Sequence, residues 1–329
     1  MKALVYTAPE TLEYRDEADP APAPGEALVR IDAVGICGSD MHAWHGHDPR
    51  RVPPLILGHE AAGEVVAGAG IGRRVTMNPL ITCGRCTYCL TGRSNLCENR
   101  TMIGMTRAGA YAQFVTIPEH CLVDLPEGMN PSQAALTEPT ATAWHAVDLA
   151  ERACWRPLAE CDVLVIGGGA VGLLTALVVR SRGARTVRLA ETNVLRRKTV
   201  ERSGIECFDP TSALPDRQSV HVVFDCVGGA RTRESAIGAA RPGGVVGHVG
   251  LQESSGGVDV RRITLSELAF IGVYTYTTAD LRAAADALHR GALGDLQWVE
   301  SRPLAEGPAA FRDLDGGRTA AAKIVLLPG

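Results

Sequence analysis

Residues 162–184, DVLVIGGGAVGLLTALVVRSRGA, run from a β-branched apolar stretch through glycines into an apolar, helix-forming stretch. Strand, glycine turn and helix in that order open a dinucleotide-binding unit. Gly167, Gly169 and Gly172 permit the tight turn. They also let backbone N–H groups at the helix N-terminus approach a pyrophosphate. TVRLAE reads as the next strand, and Glu191 at its end stands nineteen residues past Gly172. A carboxylate at that place accepts hydrogen bonds from the adenosine ribose hydroxyls and repels a 2′-phosphate, so NAD is expected over NADP. Arg196 joins the expected cofactor contacts. Together with Arg197 it also brings positive charge that a phosphate could use.

Beyond this unit, VHVVFDCVGG and GGVVGHVGL are further strands that end in glycine. Alternating strand and helix implies a parallel, doubly wound sheet over 141–277. Residues 1–140 have another pattern. ALVY, EALVRIDAVG and GAYAQFVTIPEHCLVDLP are β-type runs, PAPAPGE is a loop, and a cysteine-rich lobe occupies about 80–100. From about 131, PSQAALTEPTATAWHAVDLA becomes alanine-rich with a helical period. The fold class is therefore α/β, with a β-rich first domain and a Rossmann-type second domain. In the tail, DLRAAADALHRG is a helix stopped by Gly291 and KIVLLPG is a strand. The segment 278–329 is expected to return to the first domain.

Two sets of metal-ligand residues lie in the first domain. Cys83, Cys86, Cys89 and Cys97 occur in CGRCTYCLTGRSNLC. Four thiolates at this spacing make a closed tetrahedral zinc shell with no position for substrate, so the site is structural. Cys37 in GICGSDMH and His59 and Glu60 in GHE supply one sulfur, one nitrogen and one oxygen donor. A catalytic zinc needs about three protein ligands and one exchangeable position. Glu138 in TEPTATAWHAV is a further acidic candidate, as a direct ligand or through water, or as a helix-start carboxylate at a positive dipole end. The expected metal content is two zinc ions per chain.

The length of 329 residues suits two domains, and 46% hydrophobic with 21% charged residues suits a soluble globular protein. A net charge of −4 gives no basis for attraction to nucleic acid or to a membrane. The N-terminal MKALVYTAPETLEY is not a signal peptide, and no apolar run is long enough to span a bilayer. Five of the ten cysteines fall in the metal sets, and the other five are scattered. Free thiols in a reducing cytoplasm are the expectation.

These features together point to a metal-assisted dehydrogenase. Zinc lowers the pKa of an alcohol hydroxyl, and hydride passes from carbon to the nicotinamide. The released proton needs a path. Ser39, two residues past Cys37, is placed to touch the alcohol. His42 titrates in the useful range and can hand the proton to solvent through the cofactor ribose. Trp44, His45, His47 and Arg107 are candidates for the pocket mouth, with a polarity that suits a hydroxylated substrate.

In GICGSDMH, GHEAAGEV, CGRCTYCLTGRSNLC, GAYAQFV, TEPTATAWHAV and VIGGGAVG the chain resembles the zinc-dependent medium-chain dehydrogenase family, within it the sorbitol, polyol and butanediol dehydrogenase branch. The resemblance runs from about residue 30 to 250, and the terminal segments fit too. It implies a GroES-like β domain, a Rossmann domain and a homodimer or homotetramer. It assigns Cys37, His59 and Glu60 to catalytic zinc, favours Glu138 as the further ligand or water-holder, and places Ser39 and His42 in the proton relay. Two features depart from the pattern. The loop after GHEAAGEVVAGAG is shorter than in most relatives. Thr275, in GVYTYTTAD, stands where sorbitol dehydrogenases carry an Arg that contacts the polyol. The resemblance thus implies oxidation of a secondary alcohol on a small polyol, cyclitol, sugar alcohol or vicinal diol, with sorbitol itself disfavoured.

Other readings remain at this stage. A zinc-free reductase of the same superfamily would lack the Cys37, His59 and Glu60 set. A non-enzymatic NAD-binding redox sensor on this fold would not need a relay. A threonine-type dehydrogenase would need a cation for the substrate carboxylate, for which Arg107 is the candidate. A general alcohol dehydrogenase would prefer primary alcohols.

Overall fold

A computed structural model describes residues 1–213 and 215–329. The stretch at 162–184 folds as its pattern demands. Asp162–Ile166 is strand β1, and Ala170–Ser181 is helix α1. The other strands of the same sheet are β2 (Thr186–Ala190), β3 (Glu206–Phe208), β4 (Val220–Asp225), β5 (Ala240–His248) and β6 (Ala269–Gly272). All pairings are parallel and the spatial order is β3-β2-β1-β4-β5-β6. This is the order of dinucleotide-binding sheets, in which the strand order reverses between β1 and β4 and ligands bind at the carboxyl ends there. Val163, Leu164, Val165 and Ile166 are buried, as are Leu173, Leu174, Leu177 and Val178 of α1, so the sheet forms a core of its own with helix packed on it.

The other unit is β-rich. Its main sheet holds the antiparallel strands Glu26–Gly35, Glu60–Ala67 and Arg74–Met77, and it is extended by Lys323–Leu327 from the chain's end. Val325 pairs with Gly35 and Leu326 with Val34. This register sets Ile324 opposite Ile36 and brings Lys323 to the level of Cys37. A core of Leu4, Tyr6, Ile31, Leu57, Tyr111, Phe311 and Ile324 fills the sheet interior.

The chain divides into Met1–Pro139 with Thr277–Arg290 and Val299–Gly329, and Thr140–Tyr276 with Gly291–Trp298. The tail after 278 is therefore shared, not returned whole to the first unit. Its piece 291–298, with the buried side chains of Leu293 and Trp298, groups with the parallel sheet. The expected tail elements are present as a helix over Thr278–His289 and the strand Lys323–Leu327. Among the described residues, no helix is long and apolar enough to cross a membrane.

Candidate active site

The cysteine lobe brings Cys83, Cys86, Cys89 and Cys97 together, with all four sulfurs within 4.8 Å of one another. Cys86 Sγ lies 3.5 Å from Cys89 Sγ, which lies 4.0 Å from Cys83 Sγ. Thiolates about 2.3 Å from one zinc stand about 3.8 Å apart, so these separations fit a tetrahedral ion. The surroundings favour thiolate. Backbone N–H groups of Arg85 and Cys86 pull the Cys83 thiol down to about 6, and the Cys89 N–H lowers Cys86. Burial and neighbouring sulfurs push Cys89 up to about 11, the behaviour of thiols that need a cation before all can ionise.

The second set lies in the first unit, with His59 and Glu60 buried and Cys37 half-buried. Cys37 caps the helix Gly38–Trp44, and His59 and Glu60 stand at the head of the strand Glu60–Ala67. One donor atom from each of the three lies within 4.8 Å of the others. Asp40, fully buried, organises them. Its Oδ2 accepts the Cys37 N–H at 3.2 Å and the Tyr111 hydroxyl at 2.7 Å, and its Oδ1 faces His59 Nδ1 at 3.5 Å. Burial opposes the Asp40 charge, but His59, Arg51 and Tyr111 outweigh it and hold the carboxyl well below the usual range. Burial likewise opposes a charge on His59, yet Asp40 and Cys37 raise the imidazole well above its ordinary value. The same negative field favours a metal cation in place of that proton. Asp40 Oδ1 and His59 Nδ1 are buried atoms with no hydrogen-bond partner among the described residues. A metal on His59 Nε2 would fix the proton on Nδ1, pointing at Asp40, and satisfy both atoms. The donor set therefore fits a zinc ion.

Lys323 completes the charge balance. Its ammonium donates to Glu60 Oε1 at 2.7 Å, Glu60 Oε2 at 2.5 Å and the Ile36 carbonyl at 2.7 Å. Burial lowers the tendency of Lys323 to hold its proton, but Glu60 and Cys37 more than restore it. Glu60 is thus within reach of a metal while gripped on both oxygens by a cation. Glu138 stands outside the three-donor set, buried in the first turn of the helix Thr137–Ala153, and its charge acts on Lys323. The sequence expected Glu138 as a further ligand, direct or through water; three donor atoms converge here and Glu138 is not among them, while its charge acts on Lys323.

Ser39 Oγ donates toward Cys37 Sγ at 3.4 Å, which places the hydroxyl at the metal set. His42 lies on the same short helix. Burial, then the neighbouring His47 and His45, lower its pKa, with Asp48 opposing and Arg51 adding to the effect. The pocket-mouth candidates are otherwise occupied. Trp44 is buried, 6.2 Å from the Phe311 ring, and belongs to the core. His45 pairs with Asp315 at 2.8 Å, and His47 stacks on His45. Arg107 donates to Glu26 at 2.7 Å and to Thr116 Oγ1 at 2.9 Å, so it braces two strands. Thr275 has φ +46, unusual for a β-branched residue, and its shielded hydroxyl has no partner among the described residues.

In the parallel-sheet unit, Gly167 takes φ +102, and a Cβ on Gly172 would meet the Gly167 carbonyl oxygen at 1.8 Å. Only glycine suits either place. Gly169 caps α1, and a Cβ there would meet nothing within 4 Å, which leaves its backbone open to a phosphate. Glu191 is buried beside the loop, and its carboxylate accepts the Gly168 and Asn193 N–H groups at 2.7 Å each. A cavity of about 380 Å³ opens here, lined by Gly167, Glu191, Thr192, Gly229, Arg231 and Gln252 among others. Arg197 is tied to the Glu191 and Thr192 carbonyls and to Asp209, so it is not free for a phosphate. Arg196 Nε stands 3.9 Å from Glu191 Oε2.

Sequence reasoning missed Asp40, Arg51, Tyr111 and Lys323. Asp40 had a local signal, since an acid three residues after Cys37 can reach back to the Cys37 N–H. Lys323 had one too, a charged residue heading a buried apolar strand.

Comparison with known proteins agrees with this geometry. Residues 23–127 match the alcohol dehydrogenase GroES-like domain, and residues 170–290 match the zinc-binding dehydrogenase family. L-galactonate-5-dehydrogenase of Escherichia coli K12 is 34% identical over 76% of each chain. Sorbitol dehydrogenase of Halalkalibacterium halodurans is 30% identical over 100% of this chain and 99% of its own. Among solved structures, a protein of Sinorhizobium meliloti 1021 described as a zinc-binding dehydrogenase, bound to NADP, is 32% identical, covers 99% of both chains and superposes with a TM-score of 0.88. The chain belongs to the zinc-dependent medium-chain dehydrogenase family, in its polyol-dehydrogenase branch.

Proposed function

We propose that the chain catalyses the reversible oxidation of a secondary alcohol on a small polyhydroxylated substrate, with NAD⁺ as hydride acceptor. The observation that carries this reading is the convergent Cys37, His59 and Glu60 set with the Ser39 hydroxyl 3.4 Å from the Cys37 sulfur. A zinc ion held by Cys37, His59 and Glu60 would supply the Lewis-acid charge that lowers the pKa of an alcohol hydroxyl, and a nicotinamide at the glycine loop would supply the hydride acceptor. Asp40 orients the His59 ring, and Lys323 holds the Glu60 carboxylate against the negative charge of its neighbours. Ser39 Oγ takes the alcohol proton, and His42, kept neutral by burial and by its histidine neighbours, accepts it onward to solvent. The Cys₄ lobe holds a second zinc and takes no part in chemistry. The cytoplasm and a homodimer or homotetramer belong to the same reading.

The names of the relatives, L-galactonate-5-dehydrogenase and sorbitol dehydrogenase, support a substrate with several hydroxyls. Arg107, the cation that an amino-acid substrate would call on, is bound to Glu26 and Thr116 instead. The test compares kcat/KM for a vicinal diol, a matched mono-alcohol and ethanol. The diol is expected to be best, because its second hydroxyl adds a polar contact. A preference for ethanol would make the chain a general alcohol dehydrogenase.

NAD is the proposed cofactor because Glu191 places a carboxylate beside the dinucleotide loop. Repulsion of a 2′-phosphate is expected to cost at least ~1.4 kcal/mol, or about tenfold in affinity. Measured kcat/KM values should favour NAD⁺ by that factor or more. Equal values, or a preference for NADP⁺, would overturn the assignment.

A further inference from the structure

Arg51 is a buried guanidinium that the relay leaves unused. It is 3% exposed and lies in the loop after the Ser39 helix. Its Nε donates to the Gly104 carbonyl at 2.9 Å. Nη1 donates to the Ser39 carbonyl and to Asp48 Oδ2, each at 2.9 Å. Nη2 donates to Ser39 Oγ at 3.2 Å and faces Asp40 Oδ1 at 3.8 Å. Four of the five N–H donors of the guanidinium are thus in hydrogen bonds. Its counter-charge is shared, since Asp48 also takes Arg50 and Asp40 also faces His59. Arg51 thus sets one positive charge in hydrogen-bond contact with the Ser39 hydroxyl.

A serine hydroxyl has one hydrogen and two lone pairs. Arg51 occupies one lone pair, and in this structure the hydrogen points to Cys37 Sγ. One lone pair is left, so a proton from an alcohol has a single way in, and Ser39 must give up its own hydrogen as that proton arrives. We infer that Arg51 is a positioning residue that grips both the carbonyl and the hydroxyl of Ser39 and so fixes the direction of proton transfer through Ser39 Oγ. The inference rests on the relay reading proposed above. The balance is one proton from the substrate hydroxyl to Ser39 Oγ and one proton, turned away from Cys37 Sγ, from Ser39 Oγ onward to His42 and solvent, with no change of oxidation state. A lysine at position 51 would keep the charge and lose the fork that grips both the carbonyl and the hydroxyl of Ser39.

The test is a double-mutant cycle with Ser39→Ala, Arg51→Lys and the double variant, with Arg51→Gln as a second neutral probe. Zinc content, NADH binding by fluorescence and the solvent isotope effect on kcat are measured beside turnover. Arg51→Lys is expected to lower kcat about tenfold or more, the worth of one charged hydrogen bond, with unchanged zinc content and NADH affinity. Its solvent isotope effect should rise, because proton transfer limits the rate more. In the Ser39→Ala background, Arg51→Lys should cost less than about twofold, since the two act as one unit. If Ser39→Ala itself leaves kcat unchanged, the relay reading fails and the inference fails with it. If Ser39→Ala slows the chain but Arg51→Lys costs the same factor in both backgrounds, the relay stands and the role of Arg51 is wrong. If Arg51→Lys and Arg51→Gln both lose zinc or fail to fold, Arg51 supports the structure alone and the inference is overturned.

Discussion

Cys37→Ser and His59→Ala should each leave a folded chain that binds NADH yet turns over at least about 10³-fold more slowly, a loss of ~4 kcal/mol or more in transition-state stabilisation. The expectation follows from the donor set. Three side chains, two of them buried, converge on one point, and the charges of Asp40 and Cys37 raise the His59 imidazole well above its ordinary pKa. Removing the thiolate or the imidazole deletes a ligand and leaves the Asp40 and Glu60 charges less well balanced. The parallel-sheet unit has its own core and its own glycine loop, so dinucleotide binding should survive. NADH fluorescence, circular dichroism and kcat on the best alcohol measure the three outcomes. A variant that retains a tenth of wild-type turnover would remove the catalytic role from this set.

Cys89→Ser should act on stability. The lobe from 82 to 100 buries little beyond Asn95 and Cys97, and its helices are a four-residue turn at Thr87–Leu90 and a short turn at Ser94–Leu96. So little apolar burial cannot hold the segment, and metal ligation must do so. Structural zinc sites contribute folding energy on the order of 10 kcal/mol, and losing ~4 kcal/mol or more of it would lower the melting temperature by more than about 10 °C. Thermal melts and soluble yield check this, with kcat normalised to folded protein expected within a few-fold of wild type. A variant with wild-type melting and no activity would place the lobe in the chemistry instead.

The contiguous motifs were legible because their chemistry is local. The GGGAVG turn needs only the strand before it and the helix after it, and the Cys₄ spacing encloses its own metal. Ser39 and His42 share a seven-residue helix that Cys37 caps, so their proximity also follows from spacing. What was not legible depends on register and on charge pairing across the chain. Lys323 meets Glu60 from 263 positions away, and only the pairing of Val325 with Gly35 brings it there. Arg107 read as a pocket cation because nothing near it in sequence claims its charge, whereas Glu26 does so 81 positions back. Trp44 read as a pocket wall because its helix carries polar residues on either side, yet its ring turns inward onto Phe311. Glu138 illustrates the same limit, since sequence alone does not show that its charge acts on Lys323.

Zinc content set against turnover tests the central claim most directly. The purified chain should hold two zinc ions, the His59→Ala chain one, and loss of that single ion should account for the loss of activity. A His59→Ala chain that keeps both ions and oxidises alcohols at the wild-type rate would contradict a catalytic metal at Cys37, His59 and Glu60.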